Sequence, residues 1–262
     1  FRENADQPKI HNEWLKAEYA LKRTKQEAEK KIIKAMALIR MVHREEELPV
    51  LDDSIRLSLG MEEEEYKSAM EHLKQEEIVI FRSSLGTYAF KNNVGVNIEK
   101  EIRAEAAKQP AEFPVCRYLQ QVSELDYVLP KQHNQEKRMT RYFQYEFLRT
   151  EEFLQLGTAS YLFEEQFADG KILALIDTEE IKRDAVEEKT RELQEERIVV
   201  LVPEKPFDKA DSLRRLAAIY ALKEKPAFIE ENKVLLRELE LYEEDIIFEV
   251  NASLERDFIP GN

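Results

Sequence analysis

Between Lys131 and Arg149 the chain carries Lys131, His133, Lys137, Arg138, Arg141 and Arg149 among Tyr142, Phe143, Tyr145 and Phe147. Aromatic faces stack on bases while cations hold the phosphate backbone, so this mixture has the chemistry of a nucleic-acid contact. Its candidate residues are Lys137, Arg138, Arg141, Tyr142 and Arg149. The same letters also describe an ordinary strand, RYFQYEFL, whose alternate aromatics face a core behind a basic loop, KQHNQEKR. We favour that plainer reading.

Other reactive groups are thinly spread. Asp177 closes the apolar run KILALID, at the strand end where α/β sheets place ligand groups, and with Asp208 after the next strand it forms a candidate metal pair. With no glycines beside it, helix capping explains Asp177 better. His11, His43, His72 and His133 are dispersed, and no HExxH pair occurs. The single cysteine, Cys116, lies among Val115, Tyr118 and Leu119 and reads as a buried structural thiol. One cysteine makes no internal disulfide and no cysteine-based zinc site, which fits a reducing, cytoplasmic setting.

The six glycines stand at 60, 86, 95, 157, 170 and 261, too scattered for a phosphate-cradling loop. Neither GxxxxGK[ST] nor GxGxxG is present, so no cofactor is expected in this segment. The 262 residues suit about two domains, using roughly 100–200 residues for each. The net charge of -14 opposes nonspecific binding to nucleic acid or anionic membrane across the whole surface. No apolar run is long enough to span a bilayer. The opening FRENADQPKI has neither an initiator Met nor a signal-peptide layout, so an excised piece of a longer protein is expected.

The elements that must position these groups follow from periodicity. An amphipathic helix is expected over about Lys9–Lys30, with Trp14, Ala17 and Leu21 on one face. The next helix is dense with Ile32, Ile33, Met36, Leu38, Ile39 and Val42, as a core helix would be. A short helix capped by Asp52 ends at Gly60, and another buries Tyr66, Ala69, Met70 and Leu73. Ile78–Phe81 and Thr87–Phe90 then flank a Ser-Ser-Leu-Gly turn, the pattern of a hairpin. In that order the elements spell a winged helix-turn-helix.

Its second helix carries the wrong charge for DNA. Between Pro49 and Glu77 stand nine acids (Asp52, Asp53, Glu62, Glu63, Glu64, Glu65, Glu71, Glu76, Glu77) against Arg56, Lys67 and Lys74. A major-groove reader needs cations there. Protein docking through Glu62, Glu63, Tyr66 and Lys67, or a stable solvated face, is the expectation.

Downstream, a helix is expected over about Val96–Lys108, then a boundary at Pro110 and Pro114, and a helix over Val115–Tyr127. The strand KILALID, a helix capped by Thr178 and the strand RIVVLVP spell a βαβ unit with parallel strands. Asp211–Phe258 reads as wholly helical. The fold class is therefore α+β and helix-rich: a winged helix-turn-helix, then a small α/β domain with a βαβ unit and a C-terminal helical region. The corresponding spans are an N-terminal helix at 1–30, the winged helix at 31–110, the α/β domain at 111–210 and the helical region at 211–262.

Four stretches carry a family resemblance. They are KKIIKAMALIRMV with LSLGMEEEEYKSAMEHLKQEEIVIFRSSLGTYAF, then KNNVGVNIEKEI, then MTRYFQYEF with ADGKILALI, and RIVVLVPEKPF before the long helical region. Together they resemble a segment of large bacterial P-loop NTPases of the STAND/AAA-like kind, many encoded in phage-defence operons. The resemblance implies a regulatory or scaffolding segment that docks the ATPase core of its parent chain or a partner protein. Any ATP and magnesium would then belong to a nucleotide-binding core outside this sequence. Two other expectations stand beside it: a nucleic-acid module using 131–149, and a metal-dependent enzyme domain around Asp177.

Overall fold

The computed structural model describes residues 8–42, 47–91, 98–158, 160–163, 168–226 and 233–259. The chain is α+β and rich in helix. It divides into two compact units, Phe1–Ile98 with Ala227–Leu241, and Glu99–Pro226 with Tyr242–Asn262. His43 and most of the KNNVGVN stretch, including the expected helix start at Val96, lie outside the described residues.

In the first unit, α1 (Pro8–Arg23) buries Ile10, Glu13, Ala17 and Ala20, successive positions three and four apart on one helical face. Trp14, expected on the inner face, is exposed, because the buried stripe runs one residue earlier through Glu13. The helix stops at Arg23, whose guanidinium donates to the carbonyls of Glu76 (2.6 Å) and Glu77 (3.4 Å). After the break, α2 (Glu27–Val42) buries Ile32, Ile33, Met36 and Ile39. Leu38 and Val42 of the same apolar run are exposed, since at helical spacing these two fall on the side away from Ile32, Ile33, Met36 and Ile39.

Helix α3 (Asp52–Leu59) begins one residue earlier than a cap at Asp52 would allow. Leu51 is the N-cap, and Asp52 is a first-turn residue whose carboxylate is engaged elsewhere. Gly60 closes α3 at φ 60°, where its N–H reaches the carbonyls of Arg56 and Leu57. Helix α4 (Glu63–Gln75) buries Tyr66, Ala69, Met70 and Leu73, the face its spacing predicts. Strands β1 (Val79–Arg82) and β2 (Thr87–Phe90) pair antiparallel with Val79 opposite Phe90 and Arg82 opposite Thr87. Gly86 turns the hairpin at φ 60°. The core gathers Ile32, Ile33, Met36, Ile55, Leu73 and Val79.

The second unit is built on a four-stranded sheet of order β3-β4-β5-β6. Its strands are β3 (Tyr127–Val128), β4 (Phe143–Leu148), β5 (Gly170–Leu175) and β6 (Ile198–Leu201). β3 runs antiparallel to β4, while β4, β5 and β6 are mutually parallel. All six residues of β5 are buried, Lys171 among them, and the apolar Ile172–Leu175 suits a central strand. Gly170 opens β5 because a Cβ there would stand 2.6 Å from the carbonyl oxygen of Arg197 and against the Phe143 ring.

Six helices belong to the description of this unit: α5 (Ile98–Ala106), α6 (Val115–Val122), α7 (Lys131–Lys137), α8 (Thr150–Leu154), α9 (Arg183–Leu193) and α10 (Ala210–Lys223). A further helix, α11 (Lys233–Phe258), contributes its later turns. Phe153 of α8, Leu162 and Val186 of α9 pack on Leu173 and Leu175 of β5. Asn251 of α11 secures the end of α6, donating to the Val122 carbonyl at 3.0 Å and accepting from the Glu124 N–H at 2.7 Å.

Three local expectations change. The helix from Val115 ends at Val122, where Ser123 takes extended backbone and its hydroxyl accepts from the Leu125 N–H, and Tyr127 joins a strand. The basic segment from Lys131 is helical through Lys137, started by Pro130 and stopped by Arg138 at φ 53°. Helix α9 starts at Arg183, after Lys182, so Thr178 does not cap it.

Candidate functional site

The basic-aromatic residues are distributed along β4 and beyond both its ends. Lys137 ends α7, Arg138 is its left-handed terminator, and Arg141 precedes β4; all three are exposed. Asn134 shapes this end, donating to the Arg141 carbonyl at 2.8 Å and accepting from its N–H at 3.0 Å. Arg149 follows the opposite end of the strand. Six residues at about 3.3 Å each place it roughly 20 Å from the Arg141 end, too far to share a nucleotide. Between them Tyr145 and Phe147 are buried, and Tyr142 lies edge-on to Tyr127 with ring centres 6.3 Å apart. The two arginines also have carboxylates nearby, Asp169 at 3.8 Å from Arg141 and Asp177 at 3.9 Å from Arg149.

Asp177 does cap a helix, though not the one that follows it in sequence. Its Oδ2 accepts the Thr150 N–H at 3.1 Å, at the start of α8. Asp208 is exposed beside Lys209, at 3.8 Å. Among the described residues no group of three or more His, Cys, Asp or Glu side chains gathers as a metal site. Cys116 has its thiol pushed up to about 12, first by burial and then by the charges of Glu152 and Asp177. It therefore stays protonated at neutral pH and lacks the thiolate that nucleophilic chemistry needs.

On the first unit, Glu62, Glu63, Glu64 and Glu65 are all exposed at the start of α4. Lys67 reaches back to Glu63, with its ammonium 2.5 Å from Oε1. Tyr66 is turned inward and donates its hydroxyl to Asp52 Oδ1 at 2.8 Å. Tyr88 of β2 donates to Asp52 Oδ2 at 2.9 Å and in turn accepts from Lys74 Nζ at 2.9 Å. A cleft of about 450 Å³ opens between α3 and α4 over this network, walled by Asp53, Arg56, Glu63 and Lys67. The network joins α3, α4 and β2. It went unnoticed in the sequence because Asp52 looks like a cap and the two tyrosines lie 22 residues apart.

A second cleft, of about 550 Å³, lies between α6 and β4. Its floor holds Lys171, which is 1% exposed and stands 3.2 Å from both Gln144 Oε1 and Glu146 Oε2. At its wall the Gln120 carboxamide bridges the β4 backbone: Nε2 donates to the Tyr145 carbonyl and Oε1 accepts from the Phe147 N–H, both at 3.4 Å. Sequence reading passed over both residues. A lysine beginning an apolar strand was the available signal for one; nothing marked Gln120.

No family model matches this chain, and no curated protein or solved structure matches it. Among the described residues no helix is long and apolar enough to cross a membrane.

Proposed function

We propose that α2, α3, α4 and the β1–β2 hairpin form a winged helix-turn-helix that faces protein rather than DNA. In this reading β5, α9 and β6 form a βαβ unit of the adjoining α/β half. The chain acts as a non-catalytic regulatory or interaction segment of a large bacterial P-loop NTPase of the STAND/AAA-like kind, in antiviral defence. It docks the ATPase core of the parent chain or a partner protein, and nucleotide chemistry belongs to that core.

The observation that carries the reading is the surface of the second helix and the wing. Four consecutive exposed glutamates meet the outside at the start of α4, and Lys67 is drawn to one of them. The wing exposes Phe81 and Leu85, while its arginine, Arg82, is buried with Nη2 on the Leu241 carbonyl at 2.5 Å. A phosphate backbone approaching that surface would meet repulsion where a groove reader supplies cations.

Fluorescence anisotropy of the full chain with labelled duplex DNA at low salt is expected to show no binding, and a coupled assay no ATP hydrolysis. Duplex affinity that falls steeply with added salt would overturn the protein-facing assignment. ATP turnover by the chain would overturn the non-catalytic one.

A further inference from the structure

We infer that a cleft of the first unit, walled by α1, α2, the β1–β2 hairpin and the first turns of α11, binds a small organic monoanion. Its ligand is a carboxylate carried on an apolar body. This inference is independent of how α4 meets a partner.

The cleft holds about 490 Å³, and Lys16 of α1 and Arg40 of α2 both line it. These two cations share one carboxylate: Glu13 Oε1 stands 2.9 Å from Lys16 Nζ, and Oε2 stands 2.7 Å from Arg40 Nε. Glu13 is buried and does not line the cleft. One carboxylate against two cations leaves a single positive charge, and the cations face the open side. Donors remain as well. Arg40 Nη1 donates to the Tyr88 carbonyl at 3.2 Å, while Nη2 has no partner among the described residues. Lys16 gives Glu13 only one of its three N–H groups. The two side chains are 23% and 14% exposed, so both can be reached from the cleft.

The buried carboxylate also fixes where both cations stand before a ligand arrives. Donors held in place in advance lose little freedom on binding, which favours affinity. A ligand carboxylate brings two oxygens, one for Arg40 Nη2 and one for Lys16 Nζ, each in a charge-assisted bond.

The hairpin supplies the apolar wall. Ile80 and Ala89 stand opposite each other in the β1–β2 register, so their side chains share a face, and both are only half-buried. Both line the cleft, and Leu241 of α11 extends the wall. An apolar body laid there removes its own surface and theirs from water. The remaining charges set the valence of the ligand. Arg82 and Glu238, both buried, line the cleft with one charge of each sign, and Arg237 stands 3.0 Å from Glu240. A surplus of one positive charge suits a monoanion, whereas a phosphate dianion would bring a second charge that nothing balances.

The test titrates the isotope-labelled full chain with 4-phenylbutyrate, octanoate and indole-3-acetate, reading amide chemical shifts. At least one acid is expected to bind and to move the Ile80 and Ala89 amides. Its primary amide, which keeps the body without the charge, and acetate, which keeps the charge without the body, should each bind about tenfold more weakly or worse. Lys16→Met keeps the stem but not the ammonium and should lose about tenfold in affinity. Ala89→Phe fills the apolar wall without touching a charge and should abolish binding. No binding by any of the three acids, an amide that binds as well as its acid, or full affinity in folded Lys16→Met would sink the inference. Phenyl phosphate binding more tightly than the acids would overturn the choice of a monoanion. Should Lys16→Met fail to fold, the comparison of acid with amide decides, since it uses the unaltered chain.

Discussion

In the unit built on α1 to α4, the buried carboxylate of Glu13 sits between two cations, Lys16 at 2.9 Å and Arg40 at 2.7 Å. In the sheet unit the buried charge is a cation, Lys171, set against Glu146 and the neutral Gln144. The first arrangement surrounds its buried ion with opposite charge from two helices. The second sets its ion against the Glu146 carboxylate, on the neighbouring strand. Enclosing a charge costs several kcal/mol, so the more deeply enclosed ion makes stability depend more on its counter-charge.

The largest effect is therefore expected at Glu146. Glu146→Ala takes the carboxylate away from an ammonium that is 1% exposed, and should cost about 3 kcal/mol in urea unfolding of the full chain. Lys171→Met should cost less than about 1 kcal/mol, because the remaining carboxylate is 29% exposed and can turn to water. Equal costs for the two substitutions would break the contrast.

Glu13→Gln is next, at about 2 kcal/mol, since both cations left behind are partly exposed. Burial pushes the Glu13 carboxyl up, but Arg40 and Lys16 together outweigh it and hold the group below the usual carboxylate range. A depressed folded-state value contributes stability that is complete above the unfolded value, near 4.3, and is lost as pH falls through the lower folded one. Wild type should lose stability across that acid window, and Glu13→Gln should show a flatter acid limb.

Asp52→Asn sharpens the comparison from a neutral side, because its partners are phenols. A carboxamide keeps one acceptor for two hydroxyls, so the cost should be about 1 kcal/mol. Burial and the bond to Asp52 raise the Tyr66 hydroxyl well above its ordinary value. Stability from that group is present below the unfolded value, near 10, and declines as pH rises beyond it. Ultraviolet titration should find Tyr66 ionising earlier in Asp52→Asn than in wild type. The smallest effect belongs to Lys67→Ala, below about 0.5 kcal/mol, because its pair with Glu63 is exposed on both sides.

The legible parts of this fold were those written by local periodicity. Tyr66, Ala69, Met70 and Leu73 recur at helical spacing, Gly60 permits the left-handed cap, and KILALI needs burial on both faces. Local signals failed where one residue had two uses. Asp52 has the chemistry of a cap but faces two tyrosines, and Asp177 caps a helix that precedes it by 27 residues. Trp14 looked like the anchor of α1, yet Glu13 is the buried neighbour because Arg40, 27 residues away, makes its burial tolerable.

Periodicity and composition alone determined that this chain is helix-rich α+β, that it lacks a clustered-glycine phosphate loop, and that the stretch forming α4 is acidic. Those properties live in the spacing and type of neighbouring residues. Only the tertiary structure decided that Arg141 and Arg149 lie at opposite ends of one strand, that Lys171 is enclosed, and that Gln120 bridges the β4 backbone. Each depends on which distant backbone a side chain meets, and long-range pairing leaves no mark within a local window.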